Sequence, residues 1–217
     1  MRTNLKWADL VSLLMMAAMV GVTGMLYSRL PDQYPIHWGL DGHVNGTMSK
    51  PFGPWISLII AFVSWIIVRF SAPIFPGAWR ERLKASPLAI MAFTLTLLFC
   101  SAQMIALYQA LHPDVSTNTP FCIVTGIFFI LHGQLCPRIR RNPLVGYRTA
   151  FTLSSDENWA RTHRVAGMTF TLMGLLIIFI GMAWPWVNFI VLLVGIFIPY
   201  LYSFLLAHKL SKTNQSL

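Results

Sequence analysis

Residues 142–167 read NPLVGYRTAFTLSSDENWARTHRVAG, the longest polar interruption in an otherwise apolar chain. The stretch holds two of the seven acidic residues and three arginines. Asn142-Pro143 starts a turn, because a residue before proline is pushed out of the helical region. Gly146 permits the reversal that brings Tyr147 and Arg148 round. Ser154 reads as a helix N-cap, with Glu157 three residues on reaching back as a capping box. Asp156 and Glu157 then sit in a first helical turn, where the macrodipole favours negative charge, and Arg161, His163 and Arg164 fall toward its end. Glu157 and Arg161 form an i,i+4 pair of favourable orientation. Trp159, Thr162, His163 and Ala166 recur on one helical face. The spacing predicts a tight turn feeding a short amphipathic helix over 155–164.

Outward from this block the chain reads as membrane-spanning. Hydrophobic residues make up 56% and charged residues 11%, against roughly 25% charged in a soluble domain. Six apolar runs, near 10–30, 55–75, 87–111, 120–136, 165–184 and 186–207, approach or reach the ~17–25 residues that cross a bilayer. Arg69 interrupts the second run and Pro73 and Pro76 follow. An end as early as Val68, with the arginine snorkelling to the interface, fits that pattern. Arg2 and Lys6 would suit a signal peptide, but the first run exceeds an h-region and lacks an A-x-A site, so a retained span is expected.

Orientation follows from the sixteen Lys and Arg residues. All but Arg29 and Lys50 fall at the start, in the 2–3 and 4–5 connections, or in the tail. Both termini and the 137–164 loop are therefore expected in the cytoplasm, and residues 31–54 outside. The expected fold is all-α: a single polytopic bundle over 1–217, with the amphipathic helix of the 4–5 loop along the cytoplasmic membrane surface. The net charge of +9 is then a topology signal with attraction to anionic lipid, and direct nucleic-acid binding is not expected.

The external loop is crowded with Pro, Gly and Asx turns, so a structured segment with little helix is expected. Tyr34 and Trp38 suit the headgroup level of a bilayer. His37, Asp41 and His43 are apt zinc ligands, but their spacing is tied to no one fold and no fourth ligand presents itself; no metal or cofactor is assigned. In the spans, Gly21 and Gly24 offer close helix contact. His132 is expected neutral and hydrogen-bonded across helices. Cys100, Cys122 and Cys136 show no C-x-x-C spacing and read as buried thiols.

Two motifs carry a family resemblance. L-P-x-x-Y-P-x-H-W-x-x-x-G-x-x-x-G from Leu30, closing with Lys50-Pro51-Phe52-Gly53, resembles the domain of unknown function DUF1648 (about 10–75). N-P-x-x-G-x-R-T followed by T-L-S-S-D-E-N-W-x-x-T-H-R-x-x-G resembles the signature of the SdpI family of bacterial membrane proteins (about 120–207). Ala150-Phe151 departs from the Pro-Trp usual in that family, keeping the aromatic ring but losing the proline's fixed turn. The resemblance implies a multi-pass protein of the bacterial cell (inner) membrane. The role implied is immunity to a secreted toxic peptide, with a small cytoplasmic repressor as a further partner. Partner-binding residues are then expected in the 4–5 block at Arg148, Thr149, Ser154, Ser155, Glu157, Asn158, Trp159, Thr162, His163 and Arg164. In the external loop Pro31, Tyr34, Pro35, His37, Trp38 and Gly42 are the counterparts.

Other function classes stay open on the residues alone. The third, fifth and sixth apolar runs carry no charge in their cores, which argues against an ion-coupled transporter. An uncoupled channel or carrier for peptide or lipid needs no such charge. A membrane enzyme would have to use Ser154 or Ser155 with His163. A capping serine aims its oxygen at backbone N–H groups and makes a poor nucleophile, so catalysis is not expected.

Overall fold

The apolar runs fold as helices because a backbone in hydrocarbon must satisfy its own N–H and C=O groups. The computed structural model describes residues 6–39 and 42–215. Arg2 and Asp41, used above for orientation and for the metal set, lie outside the described residues. The α-helices are α1 (Lys6–Leu26), α2 (Ile56–Phe70), α3 (Gly77–Lys84), α4 (Leu88–Leu111), α5 (Asn118–Leu135), α6 (Ala150–Ser154), α7 (Asp156–Phe179) and α8 (Pro185–Gln215). Six of them, α1, α2, α4, α5, α7 and α8, are long and apolar enough to cross a membrane.

The spans pack as two groups. α1, α2 and α4 enclose the larger core, with Met16, Leu58, Trp65 and Met91 among its buried side chains. At one end of this group Arg69 makes two bonds to Asp9, 2.6 and 2.7 Å, tying the end of α2 to the start of α1. The arginine is thus ion-paired rather than simply snorkelling, and α2 continues past Val68 to Phe70. Deeper in, the buried Gln103 amide donates to Thr23 Oγ1 (3.2 Å) and to the Pro54 carbonyl (2.8 Å), joining α4 to α1 and to the entry of α2.

The second group is α5, α7 and α8, and it is built on glycine. Gly126 and Gly133 on α5 face Gly174 and Gly167 on the antiparallel α7. A methyl on Gly126 would sit 2.7 Å from the Gly174 carbonyl oxygen, and one on Gly133 2.7 Å from that of Gly167. Small residues at seven-residue spacing let the two backbones meet closely. Gly21 and Gly24, expected to serve this purpose, instead have nothing near them and lie on an exposed face of α1. Among its described side chains α8 buries a narrow line through Gly195, Pro199 and Ser203. Its exposed faces carry Phe189, Phe197 and Phe204, as a lipid-facing helix requires. α4 joins the groups, and Thr94 Oγ1 lies 3.4 Å from His132 Nδ1 across the α4–α5 seam.

One local expectation is corrected. The 155–164 segment is not a separate helix lying on the membrane surface: it is the first part of α7, continuous to Phe179. Its apolar face runs on into the span without a break, so nothing in the backbone stops it. Inside the 4–5 connection lie a single 3-10 turn at Cys136–Arg138 and the five-residue α6. The 31–54 loop, expected as a structured segment with little helix, forms a β-hairpin of β1 (Gln33–Trp38) and β2 (Val44–Ser49), antiparallel with irregular register around His37. That hairpin is the exception to an all-α fold.

Candidate functional site

Residues 138–167 close on themselves at the basic end of the bundle. Asn142 is fully buried, and its side chain replaces the missing ladder of a turn. Oδ1 accepts from the N–H groups of Leu144 and Val145, both at 2.8 Å, while Nδ2 donates to the carbonyls of Arg140 (2.7 Å) and Val145 (3.2 Å). All four bonding positions of the amide are used. The chain then reverses at Gly146 with φ +109°. A methyl there would collide with His163 Nε2 as well as strain the backbone.

The reversal delivers the Tyr147 N–H to His163 Nε2 at 3.1 Å, and His163 Nδ1 lies 2.9 Å from the Trp159 carbonyl. A carbonyl only accepts and an N–H only donates, so these two partners select the neutral Nδ1–H tautomer. The Trp159 ring stacks on the imidazole at 4.0 Å and donates from Nε1 to the Ile139 carbonyl at 2.7 Å. Tyr147 packs between His163 and Tyr200, and its hydroxyl reaches the Ile196 carbonyl at 3.2 Å, in the stretch of α8 that Pro199 interrupts. Burial pushes the Tyr147 phenol above its ordinary range.

The caps differ from the expected ones. Ser155, not Ser154, is the N-cap of α7, accepting from the Asn158 N–H at 3.0 Å. Ser154 Oγ donates to the Phe151 carbonyl at 2.6 Å. The capping box lies earlier, where Thr149 accepts from the Thr152 N–H (3.1 Å) and Thr152 Oγ1 accepts from the Thr149 N–H (2.8 Å), opening α6. Glu157 pairs with Arg161 at 2.5 Å as its spacing predicts.

Beside this closed block lies a cavity of about 790 Å³ lined by Arg82, Arg138, Arg140 and Arg141, with Glu81 and Asp156 on its wall. Asp156 bridges Arg82 of α3 and Arg141 of the connection. Its bond to Arg82 holds that guanidinium above its ordinary pKa. Trp79 lies within 5.9 Å of the Arg82 guanidinium and 5.8 Å of that of Arg141. The guanidinium groups of Arg138 and Arg140 engage no partner among the described residues. This arginine cluster was absent from the expected site, although R-x-R-R at 138–141 is plain in the sequence.

Of the expected partner-binding residues, Arg148, Ser154, Glu157 and Arg164 are exposed, and Thr149, Ser155 and Asn158 are half-buried. Trp159, Thr162 and His163 are buried, so a partner docking on the folded protein meets none of them. No serine–histidine pair forms here: His163 has both ring nitrogens engaged, and each serine hydroxyl serves the backbone.

At the opposite end the hairpin folds inward. Tyr34 is buried, only 1% exposed, so its ring packs on protein. Pro35 is buried beside it, whereas Pro31 and His37 are exposed. Trp38 donates to Gln109 Oε1 at 2.5 Å and packs on Phe121 at 4.7 Å. Gly42 sits at φ +77°, and its carbonyl accepts from Thr117 Oγ1 at 3.1 Å. Thr117 thereby ties the hairpin tip to the α4–α5 connection. His37 Nδ1 pairs with Asn45 Oδ1 at 2.6 Å. No group of three metal-ligating side chains occurs among the described residues.

Six apolar helices closing around two turn-rich ends define a multi-pass helical membrane protein. Residues 138–203 match the SdpI/YfhL protein family, and residues 14–62 match the domain of unknown function DUF1648. Residues 138–203 thus carry the SdpI family signature, with a DUF1648 region ahead of it. A relative, "Immunity protein SdpI" of Bacillus subtilis (strain 168), is 22% identical over 170 residues, covering 78% of this chain and 79% of the relative. No solved structure matches.

Proposed function

We propose that this protein is an immunity protein of the bacterial cell (inner) membrane, protecting its cell against a secreted toxic peptide by binding rather than by turnover. The observation that carries the reading is the likeness, over most of both chains, to a protein named for immunity. The same reading puts the arginine-lined end in the cytoplasm, where fourteen of sixteen basic residues then lie. A small repressor held at the membrane would dock on the Arg138–Arg140 face beside the signature. The hairpin end would meet the peptide outside.

The test is deletion of the gene in its source bacterium, followed by growth in conditioned medium from the parent strain. Loss of growth, restored by the wild-type gene supplied in trans, is the expected result. Equal growth of parent and deletion strain at every dose would overturn the proposal. Orientation is read separately, with an impermeant maleimide on single cysteines at Asn45 and Arg140 in a background lacking the native thiols. Labelling of Asn45 alone in whole cells is expected.

A further inference from the structure

A groove of about 560 Å³ runs along the seam between α5 and α7. Its floor is the close approach of Gly133 to Gly167, where neither residue has a side chain to fill the space. Its walls are Met168, Leu172 and Leu175, all exposed on a spanning helix, so the groove opens toward lipid. Its two uncharged polar side chains serve each other and the backbone. Gln134 Nε2 donates to Thr171 Oγ1 at 3.1 Å, and Thr171 Oγ1 donates to the Gly167 carbonyl at 2.9 Å.

Arg164 closes one end of the groove. It is the last charged residue of α7, and only uncharged residues follow it to Phe179. From Arg164 to Leu175 the helix rises about 16 Å at 1.5 Å per residue. That is about half of the ~30 Å hydrocarbon core. The groove therefore has the length of one leaflet, with an arginine at headgroup depth.

The charge is unmatched within the fold. Arg164 makes no hydrogen bond or ion pair among the described residues, and no Asp or Glu lines the groove. The carboxylates of the spanning helices are all occupied: Asp9 by Arg69, Asp156 by Arg82 and Arg141, and Glu157 by Arg161. Pro137 lines both this groove and the arginine cavity, so Arg138 adds a second unpaired guanidinium at the same end. A guanidinium at that depth suits a phosphate, and basic pockets between membrane helices take anionic headgroups. A choline headgroup would bring its own cation to the arginine. A span of a second copy would fill the apolar walls but bring no free carboxylate.

We propose that the α5–α7 groove binds one anionic phospholipid, its phosphate against the Arg164 guanidinium and one acyl chain along Met168, Leu172 and Leu175. The inference stands apart from the immunity reading.

Leu175→Cys, at the inner end of the groove, is labelled with bimane in a background lacking the native thiols. The protein is placed in phosphatidylcholine nanodiscs holding graded fractions of a chain-brominated lipid, which quenches bimane on contact. Brominated phosphatidylglycerol should reach half-quenching at a roughly fivefold lower mole fraction than brominated phosphatidylcholine, the worth of one basic side chain facing an anionic headgroup. Arg164→Gln should abolish that preference and Arg164→Lys should keep most of it. Arg29→Gln, at the opposite end, should leave it unchanged. Equal quenching by the two lipids, or a preference that survives Arg164→Gln, would overturn the proposal. Loss of the preference in excess glycerophosphoglycerol would also overturn it, by showing a site for a free headgroup. A disulfide-linked dimer of unlabelled Leu175→Cys would overturn it by putting a second copy in the groove. Melting temperature shows whether Arg164→Gln is folded; if it is not, the comparison of the two lipids on the unaltered Arg164 decides, with Arg164→Lys as the second reading.

Discussion

The two ends of this bundle are both rich in glycine, proline and polar side chains, yet they differ in how those side chains are used. At the signature end Asn142 uses all its bonding positions, His163 uses both ring nitrogens, and Ser155, Thr149 and Thr152 cap helices. At the hairpin end Asn188 Oδ1 is buried without a hydrogen bond, as Thr162 Oγ1 is at the signature end, and cavities open at both ends, about 300 Å³ with mostly apolar walls at the hairpin and about 790 Å³ lined by arginines beside the signature. A dense polar motif is therefore not by itself a binding surface. Where the polar side chains bond to one another and to the backbone the motif welds the fold, and the space open to a ligand lies beside the weld, along Arg138 and Arg140.

The largest expected effects lie in the weld. Trp159→Ala removes a buried ring and its bond to Ile139, and should cost about 3–5 kcal/mol. Gly146→Ala adds a strained backbone and a collision with His163, and belongs in the same class. Both should sharply lower the monodisperse yield in detergent. Asn142→Ala strands two N–H groups and two carbonyls, and a loss of about 2–3 kcal/mol is expected in thermal unfolding. A normal yield for any of these would erase the contrast between the ends.

Smaller effects sharpen the contrast. Ser155→Ala should cost about 1 kcal/mol, whereas Ser154→Ala should stay within about 0.5 kcal/mol. The reverse order would mean that the cap is one residue earlier. Arg161→Glu breaks only an exposed i,i+4 pair and should shift unfolding by about 0.5 kcal/mol or less. At the hairpin, His37→Ala should leave the melting temperature nearly unchanged, and a chelator should do nothing further. A chelator-dependent fall restored by zinc would show a metal site there.

Much of the fold was legible because its cause is local. Six apolar runs of spanning length can only be helices in lipid, and the periodicity of Trp159, Thr162, His163 and Ala166 gives the buried face of α7 directly. Continuity of α7 was missed because Arg161 and Arg164 look like surface charge. They lie on the other side of a helix whose apolar face never stops. The cap was misplaced because Ser154 and Ser155 stand together and the S-x-x-E pattern fits the first of them. The box at Thr149 and Thr152, with Thr in place of Glu, went unread. The heptad pairs Gly126/Gly133 and Gly167/Gly174 are visible once α5 and α7 are known to be antiparallel neighbours, which one sequence does not reveal. Tyr34 and Trp38 were assigned to the interface because an amphipathic ring fits there. The hairpin turns them inward, a consequence of strand pairing between β1 and β2 through which Gly46 packs on His37. The arginine cavity joins residues from α3 and the 4–5 connection, and only the fold brings those together.

The contrast between the ends is tested most directly by hydrogen exchange of the whole protein in nanodiscs, comparing the two ends in one sample. The amides of Leu144, Val145, Tyr147, Thr152 and Asn158 donate to side chains within the weld. They should exchange as slowly as the α5–α7 core, because opening them requires breaking the block as a unit. The amides of the hairpin tip, Gly42 to Gly46, should exchange at least tenfold faster. Signature amides that exchange as fast as the hairpin tip would contradict the weld.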